Sequence, residues 1–358
     1  VKDVKRLRFL AILVVVVLIG AAVWACAPTP TPIPTPNPIP TPTPTFPEIK
    51  LTFATWLPIG HPNAVIGYEY WANLVTERTN GAVTFEWYPL QQLIKGPEML
   101  AGVGAGVADL GVVVHSYEAG RVPLHTAESL PFAFETEEQV VEVYNQAEAI
   151  LQDELAPFNV RSLYYTPAQF HVLFTMDKPI RAVEDLEGLR LRSAGGVEDE
   201  IMEVAGASPV TMDSAEVYTA MQRGMLDGVA SLPTSPEAHD WSEFIKYMIM
   251  TNHTMISGST IINLDTWNSL PPEVQEIMVD AGRDMQQHAL GELDGMTQEA
   301  IDDSKGYGME VIVMSESERT KWKELCAPIW DEWLADRQAE GKGDAAEQLL
   351  QIIEEVTK

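Results

Sequence analysis

The residue whose type and position could do chemistry is Arg192, in the stretch DLEGLRLRSAGG, Asp185 to Gly196. Leu189 and Leu191 alternate with Arg190 and Arg192, the period-two pattern of a short strand with one apolar face. Ser193-Ala194-Gly195-Gly196 come next, a small-residue loop that lets another group approach closely. Ligands of open α/β sheets bind beyond the carboxyl ends of strands. A guanidinium offers them a planar fork of donors that fits a carboxylate bidentately. The chemistry on offer is the capture of an anion. The residues leave two readings of Arg192 open: that anion ligand, or a surface strand arginine, which is how Arg190 reads.

Other constellations fail on spacing or context. Gly102, Gly104 and Gly106 make a G-x-G-x-G, but they come after a helix and precede a strand. A dinucleotide fingerprint needs the reverse order, so that phosphates meet a helix N-terminus. GKGD at Gly341 lacks the rest of a P-loop, and neither G-x-S-x-G nor H-E-x-x-H occurs. His61, His115, His125, His171, His239, His253 and His288 are scattered, with no pair at metal-ligand spacing. No metal and no cofactor are therefore expected. Glu198, Asp199 and Glu200 read as a solvated helix face rather than a glycosidase-like dyad. Cys26 and Cys326 fit no C-x-x-C pattern, and Cys326, in KWKELCAPIW, reads as a buried helix residue. An exported hydrolase-like enzyme on a two-lobed α/β scaffold is the rival reading, and it lacks a nucleophile–base constellation. A third, a scaffold or adhesin using its acidic surface, predicts no stabilisation by small molecules.

The elements must place Arg192 in something. The 358 residues carry a formal net charge of -29, which repels nucleic acid and anionic headgroups and disfavours DNA binding. An anion site in such a field has to work through local, desolvated contacts. Lys2, Lys5, Arg6 and Arg8 precede an apolar run, Phe9 to Ala25, that ends at VWAC, the pattern of an export signal. The VWAC ending resembles a bacterial lipobox, with Cys26 as the lipidated residue; a retained transmembrane anchor is the alternative. Proline at nearly every second position from Ala27 to Glu48 favours polyproline II. Such a tether reaches roughly 60 Å from the membrane at about 3.1 Å per residue.

Beyond it, KLTFATWLP reads as a strand, and Ala64–Gly81 as an amphipathic helix with Ile66, Tyr70, Leu74 and Val75 on one face. AVTFEWYP is a strand, GPEMLAGVGAG a helix and Ala108–Val114 a buried strand. This β-α-β-α-β order predicts an open sheet covered by helices. VRSLYYT, FHVLFTM, GLRLRS and MLDGVAS repeat the strand pattern, with helices at VEDEIMEVAG and Ser214–Gly224. Apolar residues then recur at helical spacing from Glu273 to Ser304. That helix is roughly 48 Å long, wider than one small lobe, and is expected to run across two.

Ordered motifs over most of residues 50–330 resemble the solute-binding proteins of tripartite ATP-independent periplasmic (TRAP) transporters, the DctP-type family. Thr76–Leu93, with its Y-P-x-x-Q-L, is similar to the family's opening stretch, and GVADLGV to its G-x-x-D strand. Lys178–Arg192 is similar to its most characteristic segment, and Gly206–Val229 and KYMIMTNHT come next in the family's order. The resemblance implies an α/β, two-lobed periplasmic-binding-protein-like fold with a long helix bridging both lobes. The expected divisions are a lipoprotein signal peptide at 1–25 and the lipidated Cys26 with a Pro/Thr-rich tether at 26–48, both read from the residues above. Lobe I is then 49–169 plus about 258–296, lobe II 170–257 plus about 297–315, and C-terminal helices pack on the lobes at 316–358. It implies a receptor without catalysis, outside the cytoplasmic membrane, that closes on a small organic acid and delivers it to a TRAP permease. Arg192 would pair with the ligand carboxylate. Some members carry a second basic residue about twenty positions earlier; that place falls at Val172, beside His171. His171 is then either a weaker, pH-sensitive donor or a strand residue. Trp56, His61, Gln92, His115, Ser214 and Ser231 fall near the family's cleft. The ligand's identity is left open.

Overall fold

A computed structural model describes residues 46–358. The signal-like run, Cys26 and the tether up to residue 45 lie outside the described residues. Among the described residues no helix is long and apolar enough to cross a membrane.

Two mixed sheets form. The first contains β1 (Ile49–Ala54), β2 (Val83–Tyr88), β3 (Leu110–Val114), β4 (Val160–Thr166) and β10 (Gly258–Asn263), in the order β2-β1-β3-β10-β4. The second contains β5 (Val172–Thr175), β6 (Arg190–Ser193), β7 (Ser208–Thr211), β8 (Gly228–Ser231), β9 (Tyr247–Met250) and β11 (Glu310–Val313), in the order β11-β9-β5-β8-β6-β7. β1 is parallel to β2 and β3, and β6 is parallel to β7 and β8. β10 and β5 run antiparallel to their neighbours. The LGVVV run of β3 is buried at all five residues, as expected of a strand covered on both faces.

The chain passes between the sheets after β4, after β9 and again through a helix of 35 residues, Pro272–Gly306. This helix packs on β4 of the first sheet and on β11 of the second. Val274, Met278, Ala281, Met285, Ala289 and Leu293 sit in the core of the first sheet. Ile301 packs against the core cluster of the second sheet, which contains Trp241 and Met248. The periodicity seen from Glu273 is thus a helix contacting both lobes. Two C-terminal helices, Glu316–Ala339 and Gly343–Val356, place Trp322, Cys326, Ala346 and Leu349 in a core shared with Leu173 and Leu191. Burial there pushes the Cys326 thiol up to about 12, which keeps it protonated and inert.

The segment Ala64–Gly81 departs from one regular helix. Val65–Glu69 is a π-helical turn with Gly67 outside the helical region (φ -95, ψ -115), and α-helix resumes at Tyr70–Arg78. The wider turn rotates the face of the resumed helix. Ile66, Tyr68, Trp71, Ala72 and Val75 are buried, while Tyr70 and Leu74 are only half-buried.

Candidate functional site: a cleft between the two sheets

The carboxyl ends of β1, β3, β6 and β8 converge on one cleft. Trp56 lies just past β1, Tyr117 past β3 and Ala194 past β6, and Ser231 ends β8. The cavity measures about 90 Å³. At about 10–15 Å³ per water that is room for roughly half a dozen waters or one small organic molecule.

Arg192 lines this cleft and is 2% exposed. Strand alternation sends Leu191 into the core and Arg192 away from it. Nε donates to the carbonyl of Met212 at 3.0 Å, Nη1 to the carbonyl of Ala230 at 3.1 Å and Nη2 to the Tyr117 hydroxyl at 3.2 Å. These acceptors fix the guanidinium plane without neutralising its charge. No carboxylate of the described residues lies within 4.0 Å of it. Three of its five N–H groups are used, so two are left for another partner. Arg190, by contrast, is exposed and bonds Asp227 at 2.7 Å.

The glycines after β6 have a structural explanation. Gly195 and Gly196 adopt φ +93 and +64, conformations costly for other residues. A Cβ on Gly195 would meet Thr211 at 2.8 Å, and one on Gly196 would meet Ala119 of the facing lobe at 3.4 Å. What approaches closely is therefore the protein itself.

Trp56, His61, His171, Arg192, Ser214 and Ser231 all line the cleft. His61 caps the short turn Pro62–Ala64, and its Nδ1 accepts the Asn63 N–H at 3.2 Å, which leaves the ring proton on Nε2. Burial, and then the nearby His239, push the His61 imidazole down to about 4. The Nδ1 of His171 lies 2.7 Å from Glu198 Oε1. The Ser231 and Ser235 hydroxyls bond each other at 2.7 Å. The Trp56 Nε1–H and Thr166 Oγ1 are buried without a partner. Such orphans are costly, and lining a cavity they are natural contacts for a guest.

His115 and Gln92 are not brought to the cleft. His115 is fully buried: it opens the short 3-10 turn after β3 and sits in a polar cluster with His125 and Glu128, its Nε2 3.0 Å from Ser259 Oγ. Gln92 is exposed, one residue out of register. Leu90 and Gln91 both take positive φ (53 and 58), which turns Gln91 instead toward the facing lobe. There its Nε2 donates to Asp213 Oδ2 at 2.8 Å. Glu198 is also not on a solvated face. It is fully buried and accepts the Ala194 N–H at 2.8 Å, beside His171 and His253. Burial alone would raise its carboxyl, but the two imidazoles hold it well below the ordinary range.

Spacing alone missed Asn63, Tyr117, Thr234 and His239. Asn63 donates to Gln169 and accepts from Thr234, both at 3.2 Å. The Tyr117 hydroxyl also accepts the Ser214 N–H at 3.3 Å, so it joins the two lobes. His239 stacks on Trp241, and burial, reinforced by the charge of Arg192, pushes it down to about 4. Among the described residues no three His, Cys, Asp or Glu side chains are arranged to hold a metal ion.

The profile of bacterial extracellular solute-binding protein family 7, DctP, matches residues 54–336. The chain is 27% identical over 269 residues to the C4-dicarboxylate-binding periplasmic protein DctP of Rhodobacter capsulatus, covering 74% of this chain and 80% of that one. It is 28% identical over 275 residues to a monocarboxylate 2-oxoacid-binding periplasmic protein of Nostoc, covering 75% of this chain and 74% of the other. In fold it is similar to DctP7 of Bordetella pertussis, an extracytoplasmic solute receptor binding pyroglutamic acid. The TM-score is 0.78 at 23% identity, over 85% of this chain and 99% of that one. It is also similar to a TRAP periplasmic solute-binding protein from Desulfovibrio salexigens with bound orotic acid. There the TM-score is 0.79 at 23% identity, over 86% and 98%. With a family profile spanning well over half its length, this chain belongs to the DctP family of TRAP periplasmic solute-binding proteins, which are receptors rather than enzymes.

Proposed function

We propose that the chain captures a small organic acid by pairing its carboxylate with Arg192 and passes it to a TRAP-type membrane permease. One observation carries this reading: a buried guanidinium, held rigid by neutral acceptors, keeps two free donors beside a cavity. An uncompensated buried charge is expensive, and a carboxylate guest would remove that cost on arrival. Relatives named for carboxylate ligands support the same class.

His61, Ser214, Ser231 and Trp56 complete the site in this reading, and His171 is a donor oriented by Glu198. Lobe I is taken as 49–169 with about 258–296, and lobe II as 170–257 with about 297–315. Hinge motion between them closes the cleft, and Gln91–Asp213, Asn63–Thr234 and Tyr117–Arg192 latch the closed form. Cys26 carries a lipid, and the proline-rich tether holds the receptor at the outer face of the cytoplasmic membrane.

A thermal-shift screen tests the reading, using monocarboxylates, dicarboxylates, keto acids, sugar acids and amino acids. A true ligand at a hundredfold excess over Kd adds about 2.7 kcal/mol. The reading fails if neutral sugars or amines stabilise the protein and no carboxylate does.

A further inference from the structure

We infer that the cleft is built for a singly charged monocarboxylate and takes a dicarboxylate only together with a proton. This rests on the pairing of a carboxylate with Arg192 proposed above and adds the charge number of the guest. Arg192 is the one lysine, arginine, aspartate or glutamate among the lining residues. The other titratable side chains on the wall offer no second cation. His61 accepts a backbone N–H on Nδ1, so it is held neutral by geometry, in line with its lowered affinity for protons. His239 is half-buried near Arg192 and is pushed the same way; Asp213 and Asp240 oppose this without prevailing. Any charge on His171 is already answered by buried Glu198, 2.7 Å away. Tyr68 bonds the Thr55 hydroxyl, and burial pushes its phenol up, so it stays neutral. The Tyr117 oxygen accepts from both Arg192 and Ser214 and brings no cation.

Around this wall the nearby charges are negative. Asp213 caps the helix that begins at Ser214, and Glu69 accepts the Gly60 N–H at 2.8 Å. A second carboxylate would meet neutral imidazoles, apolar valines and, further out, like charge. Binding would then have to protonate an imidazole or the guest itself. The orphaned Trp56 Nε1–H and Thr166 hydroxyl suit a neutral hydroxyl or keto oxygen instead.

Calorimetric titration of the protein with matched acids tests this. The pairs are 2-oxopentanoate with 2-oxoglutarate, 2-hydroxypentanoate with 2-hydroxyglutarate, and galacturonate with galactarate. Titrations run from pH 7.5 to 5.5 in two buffers of different ionisation enthalpy. In the pair that binds, the monocarboxylate should be at least tenfold tighter at pH 7.5, with no proton taken up. The dicarboxylate should tighten up to tenfold per pH unit on acidification, with about one proton taken up per guest. The variant His239→Lys should remove that pH dependence by supplying the missing cation. A dicarboxylate that binds as tightly at pH 7.5 without proton uptake overturns the inference and leaves the carboxylate reading standing. Failure of every acid in all three pairs overturns the inference, and the carboxylate reading falls with it if the screen also finds no carboxylate that stabilises the protein.

Discussion

Two buried polar regions, one around Glu154 and one around Arg192, differ in how their charges are closed. In one, Glu154 is almost fully buried, yet every oxygen is served. The backbone N–H groups of Leu124 and His125 donate at 3.0 and 3.2 Å, His125 Nδ1 lies at 2.9 Å, and Lys342 Nζ donates at 2.6 Å. Burial pushes that carboxyl up, but His125 and Lys342 win and hold it below the ordinary range. In the other, Arg192 has carbonyl and phenol partners and no carboxylate. Burial and polar character are common to both regions. What marks the cleft is the place where internal compensation stops. Arg190 makes the same point within one strand: two residues away, its charge is answered by Asp227 in solvent.

Glu154→Ala leaves a buried imidazole and Lys342 without their carboxylate and should cost about 3 kcal/mol of stability. Denaturant unfolding reads this, and ligand affinity should stay within about twofold, since Glu154 does not line the cleft. A comparable loss of affinity would mean that the two regions are not separate.

From the open side, Arg192→Ala should weaken binding of the best acid at least tenfold, with the fold retained in circular dichroism. Arg190→Ala, an exposed pair, should change stability by less than about 1 kcal/mol and leave affinity unaltered. Equal effects of the two substitutions would erase the contrast.

A smaller effect sharpens the picture with pH. His61 and His239 titrate near 4 in the folded protein and near 6.5 in the unfolded chain. Burial likewise lowers His125 and His253. The unfolded state therefore binds more protons below pH 6.5. Stability is complete above that value and declines as pH falls toward 4. Depressed Glu154 and Glu198 add to the loss at lower pH still, where they must take up protons. Burial-raised Glu118 and Glu200 act in the opposite sense. Calorimetric Tm should fall between pH 7 and 4.5, and a flat profile would contradict the neutral state of the cleft imidazoles.

Local pattern carried much of the fold. Short apolar or alternating runs placed β4, β6 and β8, although β8 is buried at all four residues, and helical spacing marked the long helix, whose apolar stripe records one buried face. The glycine pair after Arg192 marked a strand end, which is where the cleft lies. What the residues hid was non-local. The rotation of the Ala64–Gly81 face depends on a π-turn at Gly67, and the Gln91–Gln92 slip on two consecutive positive-φ residues. Glu198 sits in a charged run that reads as solvated, and only its two distant histidine partners explain its burial. His239 and Tyr117 carry no spacing signal at all, since they reach Arg192 through tertiary packing.

A crystal structure of the protein bound to the tightest acid from the screen would show what Arg192 holds. A carboxylate is expected on the two free N–H groups of Arg192, within about 3 Å, with the guest's body against Trp56. A carboxylate bound elsewhere, while the guanidinium faces only protein or water, would contradict the pairing with Arg192.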